Sequence, residues 1–249
     1  MTLHANTIVA LQLAKAPAVS AAAVTVVFAA VAWLLKGVTN TGALAGAVIS
    51  FAIYLGAGAG AFVALVCVFL IAVGTTRLGY TRKQQLGAAE NREGRSGSQI
   101  LANLGVAALA AVLFGITRKP IYLIACGAAL AEAAADTASS EIGEVSSQQA
   151  RLITTFQLVP AGTNGGVTFA GTIAGLIASV IVAGCCVLTK MIPAWAFFFV
   201  SVAGFVGMLL DSVLGAVLER RGQLNNDTVN FLGTLSAALT AVLLARMLA

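Results

Sequence analysis

Long apolar runs separated by short polar stretches make up almost the whole chain. The runs are about 16 to 22 residues long, close to the ~20 residues with which an α-helix crosses roughly 30 Å of hydrocarbon. The pattern predicts an all-α polytopic transmembrane bundle of about eight spans, with seven as the alternative count. The predicted spans cover residues 17–35, 41–56, 59–75, 99–116, 121–136, 167–189, 194–215 and 229–247. Residues 1–16 are apolar enough to lie on the membrane or dip into it before the first span.

The composition agrees with this pattern. Of the 249 residues, 59% are hydrophobic and 9% are charged, against about 25% charged residues in an average soluble protein. The apolar runs recur along the whole length, so we expect a single membrane domain, residues 1–249, without a separate soluble one. Residues 1–35 lack a basic start and a clear cleavage site, which indicates an anchor helix and not a removed signal peptide. A bacterial-type inner or plasma membrane is the expected location.

Cysteine and histidine usage narrows the chemistry. Four cysteines lie inside apolar runs without a histidine or an acid at ligand spacing. They are expected to be small core residues that form neither disulfides nor a zinc site. His4 is the only histidine, which argues against histidine-based catalysis.

The basic residues predict the orientation of the bundle. One side of an eight-span topology receives nine of them: Lys36, Arg77, Arg82, Lys83, Arg92, Arg95, Arg151, Arg220 and Arg221. The other side receives five: Lys15, Arg118, Lys119, Lys190 and Arg246. We therefore expect the first side, with every polar cluster described below, to face the cytoplasm, and both termini to lie opposite.

The stretch 135–143 carries two of the nine acids in the chain, Asp136 and Glu141, at the end of an apolar run. If the helix continues to Glu141, the two carboxylates lie about 140° apart and share no face. A helix break after Asp136, favoured by the local Thr and Ser, would instead let both carboxylates surround one Mg²⁺ ion. The simpler interpretation is a polar helix end that faces water.

Two polar loops have the composition of phosphate sites. Loop 76–98 holds five cations against two acids and is followed by Gln99 and Asn103 at helical spacing. Arg and Lys bind phosphate oxygens, but juxtamembrane cations are as often topology signals or lipid contacts. Residues 160–172 place glycines and hydroxyls directly before an apolar helix, a pattern typical of an anion cradle and also of a flexible turn.

The last polar cluster lies between the final two spans. Asp211 and Ser212 close one span, and an ionisable group at the edge of the apolar layer is by default a functional candidate. Asp136, Glu141 and Asp211 together are predicted to hold a metal, with Asn226 and Asn230 as neutral oxygen ligands or hydrogen-bond partners. Asp227 has the position expected of a helix N-cap. Carboxylates, hydroxyls, a glycine-rich loop and cations without histidine suit phosphoryl transfer, which needs mainly positioning and charge neutralisation.

Taken together, the order and spacing of these motifs resemble the DUF92 family of integral membrane proteins, which includes the plant phytyl-phosphate kinase. The resemblance runs from about residue 36 to the C-terminus, so that residues 1–35 form a variable anchor and 36–249 the family-like catalytic core. It rests on the motifs Thr39-Asn40-Thr41-Gly42, the loop Gly79 to Asn103 with Gly94-Arg95 and Gln99, Ala135-Asp136-Thr137 through Ser140-Glu141-Ile142-Gly143, Gly162 to Thr168 with Gly171-Thr172, Asp211-Ser212 with Gly215, and Asn226 with Val229-Asn230-Phe231-Leu232.

The resemblance implies a kinase that moves a phosphate from a nucleoside triphosphate, CTP in the plant enzyme, onto a prenyl monophosphate to give the diphosphate. It implies Asp136, Glu141 and Asp211 as the acids for Mg²⁺ and phosphate transfer. The nucleotide and phosphates would be bound by Lys83, Arg95, Gln99, Asn103, Thr137, Ser140, Gly162, Thr163, Asn164, Gly165, Gly166, Ser212, Asn226 and Asn230.

Two other functions stay open at this stage. A transporter would place ionisable groups near the middle of its spans, whereas the acids nominated above lie at one end. A CTP-using lipid cytidylyltransferase would release pyrophosphate, and the kinase would release CDP. The expected partners are a nucleoside triphosphate, a prenyl monophosphate lipid and the membrane, without nucleic acid. The residues predict neither the prenyl chain length nor the oligomeric state.

Overall fold

A computed structural model describes residues 2–86, 93–146 and 149–247, with side chains from Ala18 onward. It confirms the predicted polytopic all-α bundle. Residues 87–92 of the basic loop, including Arg92, lie outside the described residues. The helices are α1 Thr2–Leu34, α2 Asn40–Ala57, α3 Ala59–Arg77, α4 Tyr80–Leu86, α5 Gly97–Thr117, α6 Ile121–Val145, α7 Phe169–Leu188, α8 Ala196–Leu214 and α9 Asn226–Arg246. A π-helical segment, Gly215–Glu219, continues α8.

Seven of the described helices are long and apolar enough to cross a membrane, namely α2, α3, α5, α6, α7, α8 with its π-helical extension, and α9. The predicted first span corresponds to a shorter apolar stretch, Ala18–Leu34, at the end of α1. Because α1 is one continuous helix from Thr2, residues 2–16 form no separate segment before it.

Polar side chains start four of the spanning helices. Thr39, Ser96, Thr168 and Asn225 are the N-caps of α2, α5, α7 and α9, and each accepts a hydrogen bond from a backbone amide of the first turn. Such caps satisfy amides that lack an intrahelical partner. The prediction that Asp227 caps α9 is wrong, because Asn225 holds that position and Asp227 lies in the first turn.

Helix α6 is the centre of the bundle. It packs against α3, α5, α7, α8 and α9. Of the residues in its most apolar stretch 78% are buried, against at most 44% in the other six spans. Alanines and glycines fill much of its surface, so neighbouring helices approach closely. One such approach is at Gly175 of α7, where a Cβ atom would lie 2.9 Å from the Ala135 carbonyl oxygen.

A small antiparallel sheet connects α6 to α7, and the sequence pattern did not predict it. Its strands β1 Ala150–Leu152, β2 Leu158–Val159 and β3 Gly166–Val167 are ordered β2-β1-β3. Arg151 pairs with Leu158 on one side and with Val167 on the other. The sheet therefore fixes both ends of the glycine-rich loop between β2 and β3.

Candidate active site

A polar cavity of about 370 Å³ lies between α5, α6, the end of α8, the start of α9 and the loop between β2 and β3. It brings together most of the site residues predicted from the sequence: Arg95, Gln99, Asn103, Asp136, Thr137, Ser140, Glu141, Gly162, Thr163, Asn164, Gly165, Gly166, Asp211, Ser212, Asn226 and Asn230. Lys83 does not border it. Segments separated by more than 100 residues thus meet at one end of the bundle.

Asp136 on α6 and Asp211 on α8 supply carboxylates to the polar cavity. Helix α6 runs without interruption to Val145, so the helix break after Asp136, considered above, does not occur. Asp211 Oδ2 is buried and has no hydrogen-bond partner among the described residues. A buried carboxylate oxygen without a donor needs a proton or a cation.

Glu141 and Lys83 form a buried ion pair that the sequence analysis did not predict. Glu141 borders the polar cavity, but one of its carboxylate oxygens accepts a hydrogen bond from Thr76 Oγ1 and the other pairs with Lys83 Nζ. Lys83 is fully buried and also donates to the carbonyl oxygens of Thr75 and Thr76, at 3.0 and 2.8 Å. All three of its protons are therefore used within the protein. Lys83 does not border the polar cavity, where phosphate binding was predicted for it, and Glu141, for which metal binding with Asp136 was predicted, pairs with Lys83.

Glu132 is an acid of this region that the sequence reasoning missed. It lies one helical turn before Asp136, is 1% exposed, and its Oε1 has no partner among the described residues. A Cβ atom on Gly233 of α9 would lie 2.5 Å from Glu132 Oε1 and 3.2 Å from Asp211 Oδ2. The two unpaired oxygens thus meet at the same glycine. An acid in the middle of an apolar run was the signal that could have identified Glu132.

The π-helical segment after α8 supports the glycine-rich loop. Gly165 has a positive φ of 73°, and a Cβ atom there would lie 2.4 Å from the backbone nitrogen of Ala216. Only glycine allows this backbone conformation and this close approach together. The same segment carries Glu219, a further acid at the polar cavity that sequence reasoning missed. Single π-helical turns within α-helices occur often at functional sites.

Some backbone amides of the glycine-rich loop form hydrogen bonds within the loop. The amides of Gly166 and Thr163 donate to the carbonyl oxygens of Thr163 and Pro160, at 2.8 and 3.3 Å. The amides of Gly162 and Asn164 donate no hydrogen bond to any of the described residues. Free amides in a turn are suitable donors for an anion.

The polar side chains of the helices are held by their own backbone. The hydroxyl groups of Thr137, Ser140 and Ser212 each donate to the carbonyl oxygen four residues earlier, which leaves their lone pairs as acceptors. Gln99 Oε1 accepts the Ser96 amide in a capping box, and Asn103 Nδ2 donates to the Gln99 carbonyl oxygen. One polar atom of Gln99 and one of Asn103 are therefore already bonded to the backbone, which holds both side chains in the cavity wall.

Arg95 is fixed through its backbone. Its amide donates to the Gly37 carbonyl oxygen at 3.1 Å, and its carbonyl oxygen accepts the Thr39 amide at 3.0 Å. Gly94, with a φ of 87°, makes this contact possible, because a Cβ atom would lie 2.4 Å from the Val38 nitrogen. Within the described parts of the chain, Arg95 forms no salt bridge. Its guanidinium group is therefore available to a ligand of the polar cavity, which Arg95 borders together with Asp136.

A second, apolar cavity of about 110 Å³ lies next to the polar one, between α1, α2, α3 and α5. Both cavities are bordered by Arg95, Gln99 and Asn103. Lys36 and Arg77 add two cations at the same end, and the remaining walls are mostly apolar. The sequence pattern gave no indication of this cavity.

Two acids of the polar cavity suit a Mg²⁺ ion that is also held by a substrate. In the described residues, no group of three or more His, Cys, Asp or Glu side chains has the arrangement of a metal site. Mg²⁺ in phosphate-transfer sites is commonly held by one or two carboxylates together with substrate phosphates and waters. Asp136 and Asp211 satisfy that smaller requirement, because both border the polar cavity.

Fold and cavity define a polytopic integral membrane protein with an acidic, glycine-lined cavity at one end of its helical bundle. The chain matches the profile of the family "Integral membrane protein DUF92" over residues 23–238. It therefore belongs to that family, and the match begins within α1, before the start predicted from the motifs.

Three relatives span most of the chain. The uncharacterized membrane protein MJ0933 of Methanocaldococcus jannaschii is 32% identical over 82% of this chain and 84% of its own length. Protein VTE6, chloroplastic, of Arabidopsis thaliana is 28% identical over 86% of this chain and 67% of its own. The uncharacterized membrane protein sll0875 of Synechocystis sp. is 32% identical over 73% and 72%. No solved structure matches the chain.

Proposed function

We propose that the protein is a nucleoside triphosphate-dependent prenyl-phosphate kinase, with CTP as the favoured donor. The observation that carries this proposal is the meeting of the acidic polar cavity with an apolar cavity at Arg95, which forms no salt bridge with any described residue. A soluble triphosphate and a membrane-resident lipid phosphate need such a junction. The resemblance of the motifs to a family that includes the plant phytyl-phosphate kinase supports the same acceptor.

In the proposed reaction, an oxygen of the lipid monophosphate dianion attacks the γ-phosphorus of the triphosphate. The bond from that phosphorus to the β,γ-bridging oxygen breaks, and its electron pair leaves with the nucleoside diphosphate. The products are the lipid diphosphate and the nucleoside diphosphate, and no general base is required because the attacking oxygen is already anionic. Arg95 neutralises charge between the two reactants, and the amides of Gly162 and Asn164 bind phosphate oxygens.

Asp136 and Asp211 are the residues that would hold Mg²⁺. The ion would neutralise phosphate charge, as in other phosphoryl-transfer sites. Asp136 and Asp211 lie on different helices, α6 and α8, so their spacing depends on the packing of the bundle. Gly233 of α9 packs against both helices, because a Cβ atom there would lie 2.5 Å from Glu132 Oε1 of α6 and 3.2 Å from Asp211 Oδ2 of α8.

The test is a nanodisc assay with Mg²⁺, labelled CTP, ATP or UTP, and prenyl monophosphates. Lipid diphosphate with nucleoside diphosphate supports the proposal, whereas pyrophosphate with a nucleotide-linked lipid would identify a cytidylyltransferase. Asp136→Asn and Asp211→Asn should abolish turnover while the protein stays folded. Asp227→Asn is the matched control, because Asp227 lies in the first turn of α9 but does not border the polar cavity. Full activity in both cavity variants would refute the site.

Glu132 is the observation that favours a second candidate, a transporter. It lies near the middle of α6, where an ionisable side chain is costly and is often part of an ion pathway. Uptake of a solute into proteoliposomes, lost in Glu132→Gln, without any phosphoryl transfer by the wild-type protein, would establish this alternative.

A further inference from the structure

We infer that the apolar cavity between α1, α2, α3 and α5 is the subsite for one hydrocarbon chain of the phosphorylated lipid. The inference rests on the proposed function and adds to it the place where the acceptor binds and the kind of lipid that fits.

The walls of the apolar cavity have the chemistry of a hydrocarbon site. Phe28 of α1 and Leu65, Val68 and Phe69 of α3 line it, and Ile100 of α5 closes the opposite side. Phe28 and Phe69 pack edge to face with their ring centroids 5.3 Å apart. Polar lining residues lie at the end shared with the polar cavity, so an apolar chain would extend away from the acids.

The depth of the cavity matches a lipid chain. On α3 its lining extends from Leu65 to Arg77, about twelve residues or ~18 Å along a helix. One leaflet of a bilayer contributes roughly 15 Å of hydrocarbon, half of about 30 Å. A chain in the cavity would therefore keep the depth that it has in the membrane while its phosphate stays at the surface.

Three cations surround the mouth of the cavity. Lys36 follows the last turn of α1, Arg77 ends α3, and Arg95 precedes α5. One guanidinium nitrogen of Arg77 donates to the Leu35 carbonyl oxygen, which fixes its position and leaves other donors of the fork for a ligand. A monophosphate held by these cations would have Arg95 between itself and the polar cavity.

The volume of the cavity limits the class of lipid that it can hold. Its volume of about 110 Å³ is less than a third of the 370 Å³ of the polar cavity. Spread over the ~18 Å of helix that the cavity follows, this volume leaves room for one hydrocarbon chain and not for two side by side. A single-chain isoprenoid monophosphate fits these limits, whereas a diacyl phosphatidic acid does not.

Gly46 offers a direct test. It borders the cavity within α2, and a Cβ atom there would meet no atom within 4 Å, so a larger side chain can be added without a clash at its first atom. Gly105 of α5 has the same open surroundings but borders neither cavity, which makes it the matched control. The variants are Gly46→Phe and Gly105→Phe, with Gly46→Ala as a milder substitution.

Two measurements are made on each nanodisc-embedded protein. The first is nucleotide-free binding of a labelled 20-carbon prenyl monophosphate, and the second is kcat/KM for that lipid and for a five-carbon prenyl monophosphate. Each buried methylene contributes about 0.8 kcal/mol, so losing two or more should weaken binding of the long lipid by at least ~10-fold. Gly46→Phe should show this loss and keep its activity on the short substrate, which also shows that the variant is folded. Gly105→Phe should match the wild type on both substrates.

The outcomes separate the subsite from the proposed function. If the wild type binds the long lipid, Gly46→Phe loses that binding and no substrate is turned over, the subsite is supported and the kinase is refuted. Turnover by the wild type with an unchanged ratio of long to short substrates in Gly46→Phe would support the kinase and overturn the subsite. Equal binding of a diacyl phosphatidic acid by the wild type would also overturn it. Absence of both lipid binding and turnover in the wild type would refute both.

Discussion

Removing one partner of the buried Lys83–Glu141 ion pair is expected to destabilise the protein more than replacing both. Lys83 is fully buried and Glu141 is 4% exposed. Lys83→Met would leave one carboxylate oxygen and the carbonyl oxygens of Thr75 and Thr76 without a donor. Breaking a buried pair in this way costs about 3–5 kcal/mol, because a buried charge loses its partner.

The double variant Lys83→Met with Glu141→Gln removes both charges. The Gln side chain can still accept the hydrogen bond that Thr76 Oγ1 gives to Glu141. Replacing both charges with neutral groups of similar size is often close to neutral. We therefore expect the double variant to be more stable than Lys83→Met alone by at least about 2 kcal/mol.

Titration with SDS, followed by far-UV circular dichroism, measures the free energy of unfolding of each variant. Phosphate-transfer activity is measured in parallel, with the exposed Lys119→Met as the control for loss of a positive charge. If the ion pair is structural, the double variant regains stability and keeps its activity. If the losses of stability in the single variants simply add in the double variant, the pairing is refuted. A stable double variant without activity would show that Glu141 or Lys83 takes part in the reaction.

Three further predictions concern the polar cavity. Gly233→Ala should lower the stability by about 1–3 kcal/mol and impair activity, because its Cβ would lie 2.5 Å from Glu132 Oε1; Gly74→Ala, with no atom within 4 Å, should be harmless. Arg95→Gln should lower kcat by about 10²–10³-fold with little change in unfolding, while Arg118→Gln at the opposite end keeps full activity. Chelation of divalent ions with EDTA should abolish turnover and added Mg²⁺ should restore it; full turnover in excess EDTA would contradict the proposed metal.

The helical bundle was predictable because membrane spans follow from length and composition. Backbone polar groups in hydrocarbon must be satisfied within each segment, so a long apolar run has few alternatives to a helix. The caps at Thr39, Ser96 and Thr168 are likewise local, since each bonds an amide within three residues. The grouping of Asp136, Asp211 and the glycine-rich loop could be predicted from the side of the membrane on which each loop lies.

The partners of the buried charges could not be predicted in this way. Lys83 and Glu141 are 58 positions apart, and nothing local to either shows that they pair. The strands between α6 and α7 have two or three residues each, too few for a recognisable alternation. Glu132 could be recognised as an acid within an apolar run. Its contact with Gly233 could not be predicted, because Gly233 lies about 100 residues further along the chain.

The central position of α6 has a consequence for how the protein enters the membrane. This helix carries Glu132 near its middle, with Asp136 and Glu141 nearer its end, and an acid at the centre of a lone helix costs about 2.5–3.5 kcal/mol during insertion. In the finished bundle, five neighbouring helices keep these side chains from lipid, but three of them, α7, α8 and α9, are synthesised later. Stable insertion of α6 is therefore expected to depend on helices that follow it. A nascent chain that ends after Val145 should be retained in the membrane less efficiently than one that includes α9.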